Sequence, residues 1–232
     1  MQMGSQSAKT MATGSAAGSA TAGESSQLER CESPLGTVSL IENVNAGWYT
    51  ILTGEYRLPP TANLLRLLVQ QSNCFIVVER GAAGMNAMTR ERALMQSGEM
   101  RGGSNFGRGQ MVASDYGLSP EIVFSNSDAG GVGGALGGLV GGGRGRALAA
   151  LGGSMQTKEA SALLPLIDNR SGVQVAAAEG SASKTDFAGF GGLGGLSAAG
   201  GIGGYTRTPQ GKVIAAAFMD AFNQMVRSLR ES

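Results

Sequence analysis

The side chains that most often carry chemistry are sparse in this sequence, and their absences narrow its function. Histidine is missing altogether. That removes Ser-His-Asp and Cys-His nucleophile systems, imidazole-ligated zinc and any histidine pH switch. The two cysteines, Cys31 and Cys74, are too few for a four-thiolate metal site or a disulfide scaffold. They admit either one bridge or two buried, inert thiols. Cys31 precedes the first predicted strand and Cys74 begins the second, so if those strands are neighbours both thiols sit near one end of a sheet. In an oxidising compartment the bridge is the favoured reading. Closing a loop of about 43 residues, it would contribute roughly 3–4 kcal/mol. Among the carboxylates Glu42, Glu79, Glu91, Asp115, Glu121 and Asp128, no spacing separates an acid–base pair from solvated surface. The reading therefore names no catalytic residue, no metal ligand and no cofactor.

Motifs built on glycine fare no better. Gly189, Gly191 and Gly194 satisfy G-x-G-x-x-G, but a dinucleotide site needs that string between a strand and a helix, with an acidic residue about 20 positions on. Here glycine is dense enough to produce the match by chance. Arg-Gly steps at Arg80, Arg101, Arg108 and Arg144 are scattered rather than clustered as in RNA-binding segments. With 18 Lys and Arg against 17 Asp and Glu, the net charge of +1 gives no surplus for neutralising phosphates. Nucleic acid is not an expected partner.

The elements that would position any site occupy only part of the 232 residues, because 39 glycines and 6 prolines favour turns and irregular backbone. Residues 1–30 read as a Ser/Ala/Gly-rich tether with nothing to build a core. No signal-peptide pattern and no run of about 18 apolar residues is read, so no transmembrane helix is expected. Leu28-Glu29-Arg30 is a charged context unsuited to lipidation of Cys31. From residue 31 to 232 the pattern predicts one α/β domain. Gly36–Val44 is a strand, and Asn45–Leu58 a long polar and aromatic loop. Pro59-Pro60-Thr61 opens a helix with Leu64, Leu65, Leu68 and Val69 on one face, and Ser72-Asn73 closes it. Cys74–Glu79 reads as a strand buried on both faces.

Next comes a helix bearing Met85, Met88, Leu94 and Met95, stopped at Gly98. A short helical turn at Met111–Asp115 and a strand at Leu118–Ser125 follow. Residues 158–168 and 173–183 form a hairpin around Asn169–Gly172, with Pro165 marking an edge or bulged strand. The last helix runs from Thr208-Pro209 to Arg230. Ile214, Phe218, Ala221, Phe222, Met225 and Leu229 face inward, and Asp220, Gln224 and Arg227 outward.

Two glycine-rich excursions, about 128–156 and 183–206, interrupt this domain. In the second, Phe187, Phe190, Leu193, Leu196, Ala199, Ile202 and Tyr205 recur every third residue, whereas a membrane β-strand alternates with period two. Two readings stand: flexible loops, or hairpins that insert in a membrane or bridge subunits and take shape on assembly.

In combination, several strings resemble one family. CESPLGTVSLIENV, PPTANLLRLLVQQSNCFIVVERG, SPEIVFSNSDAGG, VQVAAAEGSAS and GYTRTPQGKVIAAAFMDAFNQMV are similar to the CsgG family, the curli production and transport components, over about residues 31–230. The resemblance implies a non-enzymatic periplasmic α/β domain that assembles with copies of itself into a ring. Each subunit would add two hairpins, here the glycine-rich excursions, to a shared outer-membrane β-barrel that exports or scaffolds a fibre-forming cargo. The family's pore loop would correspond to Asn45–Leu58, which makes Trp48, Tyr49 and Tyr56 candidate pore-lining residues by loop position. The alternative within the same fold is a periplasmic ring of another envelope machine that never crosses the membrane.

Overall fold

In the computed structural model, residues 27–125, 159–182, 205 and 208–231 are described. Most of the tether lies outside them, as do both glycine-rich excursions apart from Tyr205, including their predicted hairpin character. The described residues form an α/β domain around a mixed six-stranded sheet that is not closed into a barrel.

In chain order the elements are β1 (Thr37–Leu40), α1 (Gly47–Thr50), a π-helical turn (Ile51–Glu55), α2 (Thr61–Ser72), β2 (Ile76–Val77), α3 (Ala82–Ser97), β3 (Tyr116–Leu118), β4 (Glu121–Ser125), β5 (Glu159–Asp168), β6 (Gln174–Ala182) and α4 (Pro209–Glu231). Strand β1 pairs in parallel with β2 on one side and β3 on the other. β5 then runs antiparallel between β3 and β4 along one edge and β6 along the other.

Helix α2 starts where predicted, for a reason outside its own sequence. Its first turn holds no acidic residue and no capping side chain of its own. Instead the Glu42 carboxylate accepts from the Thr61 backbone N–H at 2.6 Å and from the Thr61 hydroxyl at 2.7 Å, supplying the missing cap. Leu64, Leu65, Leu68 and Val69 are fully buried, and Asn73 ends the helix in the left-handed conformation. The predicted inward face of α4 is buried, with Leu229 partly so. Over its first turns, however, every residue from Val213 to Met219 is buried, so the stripe widens to the whole circumference. β5 and β6 cover the helix's sheet side closely, α2 also packs on it, and Gly211 at its start lies against the Tyr205 backbone. A Cβ on Gly180 would collide with the backbone of Ala217 and Ala221, so only glycine lets the helix lie this close to the sheet.

Several expectations are corrected. Asn45–Leu58 is largely helical (α1 and the π-helical turn) because Leu52 and Leu58 are buried and draw the segment onto the core. Ile76 and Val77 form a short, half-buried strand at the sheet edge rather than a strand covered on both faces. Met111–Asp115 is not helical, since Thr37 and Asp115 tie it to the start of β1. The predicted strand Leu118–Ser125 is split into β3 and β4, which keep one register along β5 with a break at Ser119-Pro120. Pro165 lies opposite that break, and its carbonyl accepts from Ser119 N–H at 3.2 Å. β5 is therefore a central strand. Its proline is tolerated because the ladder is interrupted at that rung, and the register with β6 slips by one residue between Leu166 and Ile167.

One face of β5, carrying Ala160, Ala162, Leu164 and Leu166, is buried under α4, and α2 packs on β1, β2 and α4. The opposite face carries half-buried Leu163, Pro165 and Ile167 beside exposed Val123.

Candidate functional site

The sheet has a distinct working end, set by strand direction. β4 stops at Ser125, paired with Glu159 at the start of β5, and β6 stops near Ala182, paired with Ala160. The chain thus leaves the described domain after Ser125, re-enters at Glu159 on the neighbouring strand, and leaves again after Ala182 on the strand beyond. Both glycine-rich segments spring from three adjacent strands at one end of the sheet.

The aromatic segment lies at the same end, because β1 runs parallel to β3 and β3 continues in line with β4. Helix α1 packs against β4. The Tyr56 ring meets Phe124, the residue before Ser125, at 5.2 Å between centroids and 45° between planes. Trp48 and Tyr49 stand edge to face at 5.7 Å. Trp48, Tyr49 and Tyr56 are all half-buried, and Trp48 and Tyr56 lay part of their rings against the core. Burial, assisted by the Glu55 charge, raises the Tyr56 phenol above its ordinary value. The surface around them is made by exposed Thr50, Ile51, Gly54, Glu55 and Arg57, and Arg57 adopts the left-handed conformation (φ 52°).

Two long-range bonds hold this segment at its base. The Glu42 cap on Thr61 joins the residues on either side of it. Tyr205, fully buried where the chain returns from the second glycine-rich segment, donates its phenol hydrogen to the Pro59 carbonyl at 2.6 Å. Burial raises the Tyr205 phenol far above its usual range, and the nearby Glu42 and Tyr49 act in the same direction. The aromatic segment is therefore wedged between the departure of one glycine-rich segment, at Phe124, and the return of the other, at Tyr205.

The opposite end carries the cysteines. Cys31 and Cys74 are joined in a disulfide with 4.8 Å between Cα atoms, just before β2. Residues 27–36 run as a strap across this end. Leu35 N–H donates to the Cys74 carbonyl at 2.7 Å, and the buried Asn223 amide of α4 accepts from Glu29 N–H at 2.8 Å and donates to the Gln27 carbonyl at 2.7 Å. Glu29 also pairs with Arg227 at 2.8 Å and with Arg230 at 3.4 Å.

Of the carboxylates considered from sequence, Glu42 caps α2, Glu79 pairs with Arg66 at 3.2 Å, and Asp115 binds Thr37 and Arg170. Thr37 hydrogen bonds hold Asp115 below the ordinary carboxylate range. Among the described residues no three His, Cys, Asp or Glu side chains converge to hold a metal, and no helix is long and apolar enough to cross a membrane. Spacing in the sequence pointed to neither Glu42 nor Asn223. Tyr205 did leave a signal, as a hydroxyl-bearing aromatic that ends a glycine-rich stretch just before a helix.

What such an end can do is mechanical: it brings the points where two long segments leave and return onto adjacent strands, and fixes an aromatic turn between them. In comparisons with known proteins, the model of the family described as "Curli production assembly/transport component CsgG" matches residues 19–232. No curated protein matches the chain.

Proposed function

Because this chain belongs to the CsgG family of curli production assembly/transport components, its role lies in that kind of assembly or transport, and we propose that it is the subunit of a ring-shaped, non-enzymatic conduit of the cell envelope. The observation that carries this reading is the shared departure of both glycine-rich segments from β4, β5 and β6 beside the aromatic turn. In the reading, copies of the chain stand side by side with these segments directed toward the outer membrane. The segments contribute to a common β-barrel, and the disulfide end faces the periplasm. Trp48, Tyr49 and Tyr56, with the exposed rim around them, line the narrowest part of the passage. Selectivity for a secreted, fibre-forming polypeptide then comes from loop size and polarity, with no bond made or broken.

A second reading, a periplasmic ring that does not span the membrane, is favoured by one feature, the period of three in the second glycine-rich block. Liposome reconstitution tests the choice. For a conduit, both blocks are shielded from added protease and planar bilayers show discrete conductance steps that change in Tyr49→Ala. Full cleavage of both blocks with no conductance leaves the non-spanning ring.

A further inference from the structure

Partway along the aromatic segment the helical winding changes. Helix α1 (Gly47–Thr50) passes directly into the π-helical turn (Ile51–Glu55), where the Tyr56 N–H reaches back five residues to the Ile51 carbonyl at 3.1 Å. A π turn closes each bonded loop with one residue more than an α turn does, and it occurs in proteins mostly as single-turn insertions. Something local has to keep the chain from tightening into the α winding that precedes it.

A side-chain bond spans the junction. The Thr53 hydroxyl, inside the wide turn, donates to the Tyr49 carbonyl of α1 at 2.8 Å. In a continuous α-helix that carbonyl serves the backbone N–H four residues on, and a hydroxyl that binds it instead tends to bend the helix. Gly54 follows. It is exposed, its φ lies outside the left-handed region, and nothing stands within 4 Å of where its Cβ would be. Neither crowding nor backbone angle calls for glycine there, so its effect is to weaken the competing α winding.

The two ends of the segment are held unequally. Downstream, Leu52 and Leu58 are buried, and left-handed Arg57 ends the winding with the Leu58 N–H on the Leu52 carbonyl at 3.0 Å. Tyr205 and Glu42 then fix Pro59 and Thr61. Upstream, α1 buries no residue, and Trp48 and Tyr49 are half-buried. The direction in which α1 faces is therefore set through the turn that joins it to Leu52. One α-helical residue subtends about 100°. Tightening the π turn by one residue would swing Trp48 and Tyr49 through about that angle and lift the Trp48 ring off the core it now touches.

We propose that Thr53 is a positioning residue: by holding the wide turn open at the Tyr49 carbonyl, it fixes which way the Trp48–Tyr49 pair faces. Its consequence for transport rests on the conduit reading above. Selectivity at the narrowest part then depends on a hydroxyl that acts through the backbone of Tyr49 rather than by touching the cargo.

Trp48 is the chain's single tryptophan, so its fluorescence reports the turn directly. In detergent-extracted full-length protein, Thr53→Val keeps the side-chain shape and loses the hydroxyl, whereas Thr53→Ser keeps the hydroxyl. Loss of one neutral bond of this kind shifts the balance between the two windings about fivefold. Thr53→Val should therefore raise acrylamide quenching of Trp48 about twofold or more and alter the near-ultraviolet circular dichroism of the edge-to-face Trp48–Tyr49 pair, while Thr53→Ser matches the wild type. Thr53→Ala repeats the loss without the branched side chain, and far-ultraviolet circular dichroism checks that each variant folds. In planar bilayers the valine and alanine variants should change the unit conductance and the serine variant restore it, a pattern that a general loss of stability does not produce. Wild-type quenching and conductance in both hydroxyl-free variants, or a serine variant that behaves like valine, overturns the positioning role and leaves the conduit standing. Altered quenching with no conductance from any variant, wild type included, overturns the conduit and leaves the hold of Thr53 on the turn.

Discussion

Replacing Tyr205 with phenylalanine probes the clamp between the second glycine-rich segment and the aromatic turn. The ring stays in its fully buried site, and what is lost is the 2.6 Å bond to the Pro59 carbonyl. A neutral bond of this kind contributes about 1 kcal/mol, so the variant should be less stable by about that much at pH 7. The alkaline limb is more telling. In the folded chain burial keeps the Tyr205 phenol protonated well above its ordinary value, while in the unfolded chain it ionises near pH 10. Above that pH the unfolded state binds fewer protons, so stability falls as pH rises, by about 1.4 kcal/mol per unit for this one group. Phenylalanine has no such proton, and the two stability curves should cross near about pH 11. Urea unfolding of both proteins between pH 7 and 11.5, followed by Trp48 fluorescence, measures the difference directly. Parallel curves across that range would refute both the burial of the hydroxyl and the clamp built on it.

Reduction of the disulfide, or Cys31→Ser with Cys74→Ser, should lower stability by up to about 4 kcal/mol on loop-closure grounds and expose residues 27–36 to protease, which limited proteolysis with and without reductant would detect. Gly180→Val puts a side chain into the backbone of α4 at Ala217 and Ala221, so a loss of roughly 3 kcal/mol or failure to fold is expected in denaturant titration. Asp115→Asn should destabilise most near neutral pH. The wild-type carboxylate is held low by Thr37, so its advantage is present above about pH 4 and fades as pH falls through the lowered value. Acid titration of the two proteins should therefore converge. A double-mutant cycle on Tyr56→Leu and Phe124→Leu should return about 0.5–1.5 kcal/mol of coupling if their rings pack as observed.

Local pattern made much of this protein legible. The period of Leu64, Leu65, Leu68 and Val69 marks α2, Asn73 and Gly98 mark helix ends, and the apolar repeat from Ile214 to Met225 marks α4, because each signal lies within a few residues along the chain. Where those signals mislead, a distant partner intervenes. Pro165 reads as an edge because proline lacks a donor, yet it sits centrally because Ser119-Pro120 leaves a matching gap 46 residues away in sequence. Asn45–Leu58 reads as a loop because its composition is polar and aromatic, yet burial of Leu52 and Leu58 coils it.

The amino-acid sequence alone determined α2, α3 and α4, the glycine-rich interruptions and the absence of histidine chemistry. It also carried the strings that resemble one family. Tertiary structure decided that both interruptions leave from the same end and that Glu42 and Tyr205 brace an aromatic turn there. Such juxtapositions depend on strand direction and register across contacts from tens of residues to more than a hundred apart in the chain, and no short window of residue types encodes them.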